Sequence, residues 1–103
     1  MGGVRGTLYQ LPIGEPVLHP DPESGWVRGE VVRLDNPAIL TVLDLIRAGR
    51  GRGIVRKKLS MVLDGGREIQ GWAYVMERNE IRIRGLRKMS TRDWHRANRA
   101  AED

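Results

Sequence analysis

The chain is expected to fold as an α+β domain, a small set of strands carrying two helices. Period-two alternation marks five short segments as strands, and apolar residues recur at spacings of three and four in two others. A length of 103 residues allows one domain, residues 1–103, around a single core.

The first strand is placed at residues 4–11, where Arg5-Gly6-Thr7-Leu8-Tyr9-Gln10-Leu11 is rich in strand formers and Pro12 stops it near a sheet edge. The segment through Pro16, Pro20 and Pro22 is read as a loop, because prolines cannot donate to a ladder. Within it His19-Pro20-Asp21-Pro22-Glu23 gathers an imidazole and two carboxylates, but the prolines stiffen an extended turn whose alternate side chains diverge, so no metal site is expected. A second strand spans 26–34, with Val27, Gly29, Val31 and Arg33 on one face and Trp26, Arg28, Glu30 and Val32 on the other.

Asn36-Pro37 opens a helix over 37–48: Asn36 can cap free amides, and Pro37 takes the first helical position, where its missing N–H costs nothing. Ile39, Val42, Leu43 and Ile46 build its apolar face, Gly49 ends it, and Arg47 sits at the border of that face, where a long side chain can also snorkel to solvent. Gly49-Arg50-Gly51-Arg52-Gly53 resembles a phosphate loop in composition only. Such a loop leads from a strand into a helix, and here the order is reversed.

Residues 54–63 form a strand in which Leu59, Met61 and Leu63 alternate with Lys58, Ser60 and Val62, and Asp64-Gly65-Gly66 turns the chain into its partner at 69–77. There Trp72, Tyr74 and Met76 share one face, while the small face of Gly71, Ala73 and Val75 suits close packing. Ile81 and Ile83 alternate with Glu80, Arg82 and Arg84, a short strand at 80–84 with a charged outer side. Ser90 opens a last helix over 91–101, with Asp93 able to complement the cap; Trp94, Ala97 and Ala101 lie along one stripe, and His95, Arg96 and Arg99 lie opposite.

Composition excludes several chemistries. The chain has no cysteine, which removes disulfides, thiolate catalysis and thiolate metal sites together, and its two histidines are too few for an imidazole-rich centre. Ser24, Ser60 and Ser90 lie in no nucleophile motif. No stretch approaches the ~20 apolar residues of a membrane span, and Met1-Gly2-Gly3-Val4-Arg5 lacks a signal's apolar core, so a cytoplasmic protein is expected. Residues 1–46 carry three basic and six acidic side chains and 47–103 fifteen and seven, and fifteen of the eighteen basic residues are arginine. A salt-bridged surface explains this, and so does recognition of phosphate or carboxylate.

The ordered series Gly25-Trp26-Val27-Arg28-Gly29-Glu30-Val31-Val32, Leu43-Asp44-Leu45-Ile46-Arg47-Ala48-Gly49, Gly71-Trp72-Ala73-Tyr74-Val75 and Asp93-Trp94 resembles the gamma-glutamylcyclotransferase-like family from about Val4 to Trp94. Its members read G-x-V-x-G-E-V-Y, L-D-x-x-E-G, Y-x-R, W-x-Y and G-D-W. The resemblance implies a small mixed β-barrel with two helices, and it places the family's acid/base glutamate at Arg47. It starts at what corresponds to the family's second strand, so the Y-G-x-L loop that cradles the gamma-glutamyl group is expected to be missing, through truncation or through a start site misassigned upstream of Met1. Ile54 stands where the tyrosine of Y-x-R belongs, leaving Arg56.

A cyclotransferase needs a base near the substrate's amine and donors for the developing oxyanion. An arginine cannot accept a proton. The expectation is therefore a cyclotransferase-like protein without cyclotransferase activity and without a cofactor, keeping a pocket for a small anionic or gamma-glutamyl-like ligand contacted by Arg47, Arg56, Tyr9 and Tyr74. Glu30 is the candidate for a substitute base, its pKa rising if buried; Asp44 can instead pair with Arg47 across one helical turn. The alternative is a nucleic-acid or polyanion module using Arg47, Arg50, Arg52, Arg56, Lys57 and Lys58, although three Trp, two Tyr and no Phe supply few stacking platforms. A homodimer is expected, through strand edges or a vacant barrel face, with Trp26, Trp72 and Tyr74 adding apolar surface.

Overall fold

The structure, a computed structural model, describes residues 1–12, 14–36, 38–48 without the side chains of Arg47 and Ala48, and 53–97. In chain order it contains β1 (Gly2–Gln10), β2 (Pro16–Pro20), β3 (Trp26–Gly29), α1 (Ala38–Ala48), β4 (Ile54–Leu63), β5 (Glu68–Met76), α2 (Arg78–Arg84) and β6 (Arg87–Lys88), followed by helical backbone at 94–97. The class is α+β with one mixed six-stranded sheet: β2 pairs β5 in parallel, and the other ladders are antiparallel. The chain uses both sides of several strands. β1 meets β2 and β4, β5 meets β4 and β2, and the pairings return to their start in a circuit β1–β2–β5–β4. Outside the circuit, β3 and β6 each pair with β1 alone.

The hairpin of β4 and β5 follows the alternation closely, with the register running from Ile54↔Met76 to Val62↔Glu68. β2 corrects the loop expected at the prolines. Asp21 N–H donates to the Arg5 carbonyl and Leu11 N–H to that of Glu15, so the odd-numbered residues of β1 occupy the hydrogen-bonded pairs. Pro16 and Pro20 fall opposite Gln10 and Gly6, on the alternate pairs, where β1 needs no N–H from them. On the far side β2 meets β5 at Leu18↔Val75, and the His19 Nδ1 lies 3.0 Å from the Met76 carbonyl, a side chain serving where the short ladder gives out.

Three other boundaries move. β3 ends at Gly29 rather than at 34 because its ladder with β1 finishes at Gly2↔Gly29. Residues 80–84 are helical, not extended: in a strand Ile81 and Ile83 would share a face, whereas in α2 Ile81 is buried and Ile83 is 80% exposed. Gly85, at φ 62°, closes α2, its N–H bonding Arg82 O while Leu86 N–H reaches back to Ile81 O. The final helix starts later than 91, at 94, because Asp93 and not Ser90 is the cap, its carboxylate accepting from Arg96 N–H at 3.1 Å. Ala101 and Arg99, and Pro37 and the Gly49–Arg52 stretch, lie outside the described residues.

Ladder parity sorts the apolar residues into two clusters. Leu8, Leu18, Val27, Val75 and Ala97 form one, with Val4, Leu59 and Trp94 packed against it; Leu11, Val17, Met76 and Ile81 form the other, under α2. Leu8, Val75 and Met76 are fully buried. At Gly6 a Cβ would lie 2.5 Å from the His19 carbonyl oxygen, so β1 and β2 approach as closely as they do because no side chain stands there. The apolar face of α1 departs from expectation: Ile39, Val42 and Ile46 are exposed, and only Leu43 is partly buried. The helix is attached by its opposite side, where Asp44 bonds Tyr74.

Candidate functional site

The first apolar cluster does not fill the space beside it. A cavity of about 420 Å³ opens among β1, β2, β3, β4, β5 and the last helical turn, with walls from Val4, Val27, Met61, Ala73, Trp72 and Trp94. Its polar lining comes from Arg28, Glu30, Tyr74 and His95.

What brings the rim residues together is a contact between elements far apart in sequence. Arg28 N–H donates to the Arg92 carbonyl at 2.8 Å, and Arg28 bridges Asp93 in parallel, fixing the end of β3 against the start of the last helix. Arg92 reinforces the join through Nη1 to the Gly6 carbonyl at 2.9 Å. Glu30, just past β3, and His95, in the first helical turn, therefore face each other with Oε2 and Nε2 3.9 Å apart. Both are open to water, Glu30 at 64% of its side chain and His95 at 47%. The Arg28 guanidinium turns to Asp64 at 3.3 Å, another exposed pair. Below the rim, the Arg96 N–H, and after it that of His95 together with the charges of both residues, holds the Asp93 carboxyl below its ordinary value against an opposing contribution from desolvation.

A second polar group lies where α1 meets the hairpin. Tyr74 OH donates to Asp44 Oδ1 at 2.7 Å, and Arg56 Nη1 stands 3.5 Å from Asp44 Oδ2. Arg56 and Tyr74 are register partners, as are Lys58 and Trp72, so all four share one face. There the Arg56 guanidinium lies 4.7 Å and the Lys58 ammonium 5.7 Å from the Trp72 ring centre. Asp44 is thus engaged by two partners and locks α1 to the sheet.

Of the residues expected at the site, Tyr74 and Glu30 line the cavity. Arg56 is committed to Asp44 and Trp72 and is not among the lining residues. Tyr9 is packed against the second apolar cluster, its ring edge-on to His19 at 6.5 Å, and is not among the lining residues. The side chain of Arg47 lies outside the described residues, as do Arg50 and Arg52. Strand alternation divides the basic run of β4, since Lys57 points away from Arg56 and Lys58 and pairs with Glu77 at 3.6 Å. Sequence reasoning passed over Arg28, Trp94 and His95. They stand beside the quoted G-E and D-W motifs, but only the bridge from Arg28 to Asp93 makes them neighbours.

Among the described residues no three His, Asp or Glu side chains are grouped to hold a metal ion, and no helix is long and apolar enough to cross a membrane. The rim can hold a small polar group by a carboxylate, an imidazole and a guanidinium while the indoles cover an apolar stem. Of the nearby carboxylates, Glu30 is exposed at the rim and Asp44 accepts from Tyr74. A family model described as gamma-glutamyl cyclotransferase, AIG2-like, matches residues 2–96, and the chain belongs to that family. No curated protein and no solved structure matches it.

Proposed function

We propose that this member of the gamma-glutamyl cyclotransferase, AIG2-like family binds a small gamma-glutamyl-like amine or amide without cyclising it. The circuit of strands is read as the family's barrel, with the cavity as its ligand site. The observation that carries the reading is the juxtaposition of Glu30, His95 and Arg28 at the rim of an otherwise apolar cavity. A ligand bearing both an ammonium and a carboxylate has a partner for each there, Glu30 for the first and Arg28 for the second, at the expense of Arg28's exposed contact with Asp64. Trp72 and Trp94 would flank its methylenes.

Cyclisation requires the ammonium to lose a proton to a base as the nitrogen attacks the side-chain carbonyl. The position that resembles the family's glutamate is Arg47, which supplies no base. Glu30 stands exposed at the rim, 3.9 Å from His95. Binding is therefore retained and turnover is not.

Calorimetric titration with a gamma-glutamyl amine, alongside an assay for released 5-oxoproline, tests both halves. Binding is expected with no release above a buffer blank, and Glu30→Gln or Arg28→Met should each weaken it on the order of tenfold, as for the loss of one charge-assisted bond. Failure to bind would remove the ligand reading. Robust release would remove the claim of inactivity, and its loss in Glu30→Gln would then identify the base.

A further inference from the structure

The outward face of α1 is the largest feature that neither the fold nor the cavity explains. Between Ala38 and Ile46 the helix reads AILTVLDLI, and its one ionisable residue, Asp44, points inward to Tyr74 and Arg56. Opposite lie Ile39, Val42, Leu45 and Ile46, at 41, 55, 72 and 51% exposure. At 100° per residue these four occupy one stripe about 120° wide, the width of a core-facing surface. A helix apolar on nearly every side is normally covered on every side. Val32 and Leu34, on the segment leading into α1, are exposed as well.

We propose that a second copy of this chain covers this stripe, α1 packing antiparallel on α1 about a two-fold axis. The chemistry favours a copy over other occupants. The stripe carries no charge, so it offers a polyanion nothing, and α1 has one basic residue, Arg47, rather than the Lys- and Arg-rich polar face that holds an interfacial helix on lipid. The cores of homodimer interfaces have this character, apolar and depleted of charge. The spacing is also self-complementary. Ile39, Val42 and Ile46 step by three and four, the seam on which helices interdigitate, so Ile39 of each copy meets Ile46 of the other while Val42 meets Val42 at the axis. Six aliphatic side chains make a patch on the order of 500 Å², near the upper end of what a monomer leaves bare. With a polar rim, self-pairing approaches the ~800 Å² per partner of a standard interface. The four strands of the circuit, by contrast, each pair on both sides within the chain, and Arg28 of β3 bonds the Arg92 carbonyl.

Sedimentation of the full chain should give twice its 11.7 kDa mass at micromolar concentration. Leu45→Glu, at a position too exposed to matter to the fold, should weaken association on the order of a hundredfold by placing two uncompensated carboxylates in the interface. Its circular dichroism should match that of dilute parent protein. The chain has no cysteine, so a single introduced one reports cleanly: Val42→Cys should cross-link on oxidation, whereas Ser60→Cys on β4 should not. A parent protein that stays monomeric at high micromolar concentration overturns the proposal. So does a dimer that survives Leu45→Glu, or one that cross-links through Ser60→Cys and not through Val42→Cys, since each places the contact elsewhere.

Discussion

The strand circuit and α1 are both rich in aliphatic residues, yet they dispose of them in opposite ways. In the circuit Leu8 and Val75 are completely buried, each with neighbours on strands to either side. In α1 the four residues of the outer stripe remain between two-fifths and three-quarters exposed, while the helix is attached through a polar contact between Asp44, Tyr74 and Arg56. Apolar content therefore identifies a surface that wants covering without saying what covers it. For the strands the cover lies within the chain; for the outer face of α1 the described residues provide none.

Truncating one leucine in each region puts the contrast to its hardest test. Leu8→Ala should destabilise the fold by about 3 kcal/mol through lost transfer energy and a cavity that closely paired strands cannot close. The same change at Leu45 should cost under about 0.5 kcal/mol in protein dilute enough to be monomeric. Urea unfolding of both variants decides the matter, and a Leu45→Ala cost near that of Leu8→Ala would break the comparison. Gly6→Ala should come next, at about 1–3 kcal/mol, because its methyl meets backbone rather than a movable side chain.

The tether of α1 is weaker and more local. Tyr74→Phe removes the hydroxyl that bonds Asp44 and should cost about 1 kcal/mol. Hydrogen exchange should then quicken in α1 with little change in β4 and β5, and an equal change throughout would mean that helix and sheet unfold as one unit. The smallest effect expected is that of pH on the last helix. Folding lowers the pKa of Asp93, so its contribution is fully present above the ordinary value of 3.8 and is lost as pH falls through the lowered folded value. Asp93→Asn keeps a capping oxygen but no charge and should flatten that part of the acid limb of a thermal-stability profile.

Local chemistry made much of this legible beforehand. The hairpin of β4 and β5 was readable because Asp64-Gly65-Gly66 fixes the turn and the flanking alternation fixes the register. The start of α1 was readable from Asn36, whose Oδ1 accepts from Ala38 N–H at 3.0 Å. The segment Glu80–Arg84 was not, because two isoleucines with one residue between them fit an alternating strand as well as a helix that buries only the first. Glu30 stood out beforehand as a substitute base and Tyr74 as a ligand contact, and both line the cavity, but Tyr9 was not distinguishable as a packing residue until its strand acquired a face.

The sequence by itself determined which family pattern the chain follows and where most strands and α1 lie. Those are properties of short windows, set by turn chemistry, side-chain period and residue identity. Only the tertiary structure decided that Pro16 and Pro20 fit within a strand, since the answer depends on which pairs of β1 exchange hydrogen bonds. It alone decided that Glu30 meets His95 across 65 positions of sequence and that α1 turns its apolar stripe outward. Each of these depends on register and docking between distant segments, which no local window contains.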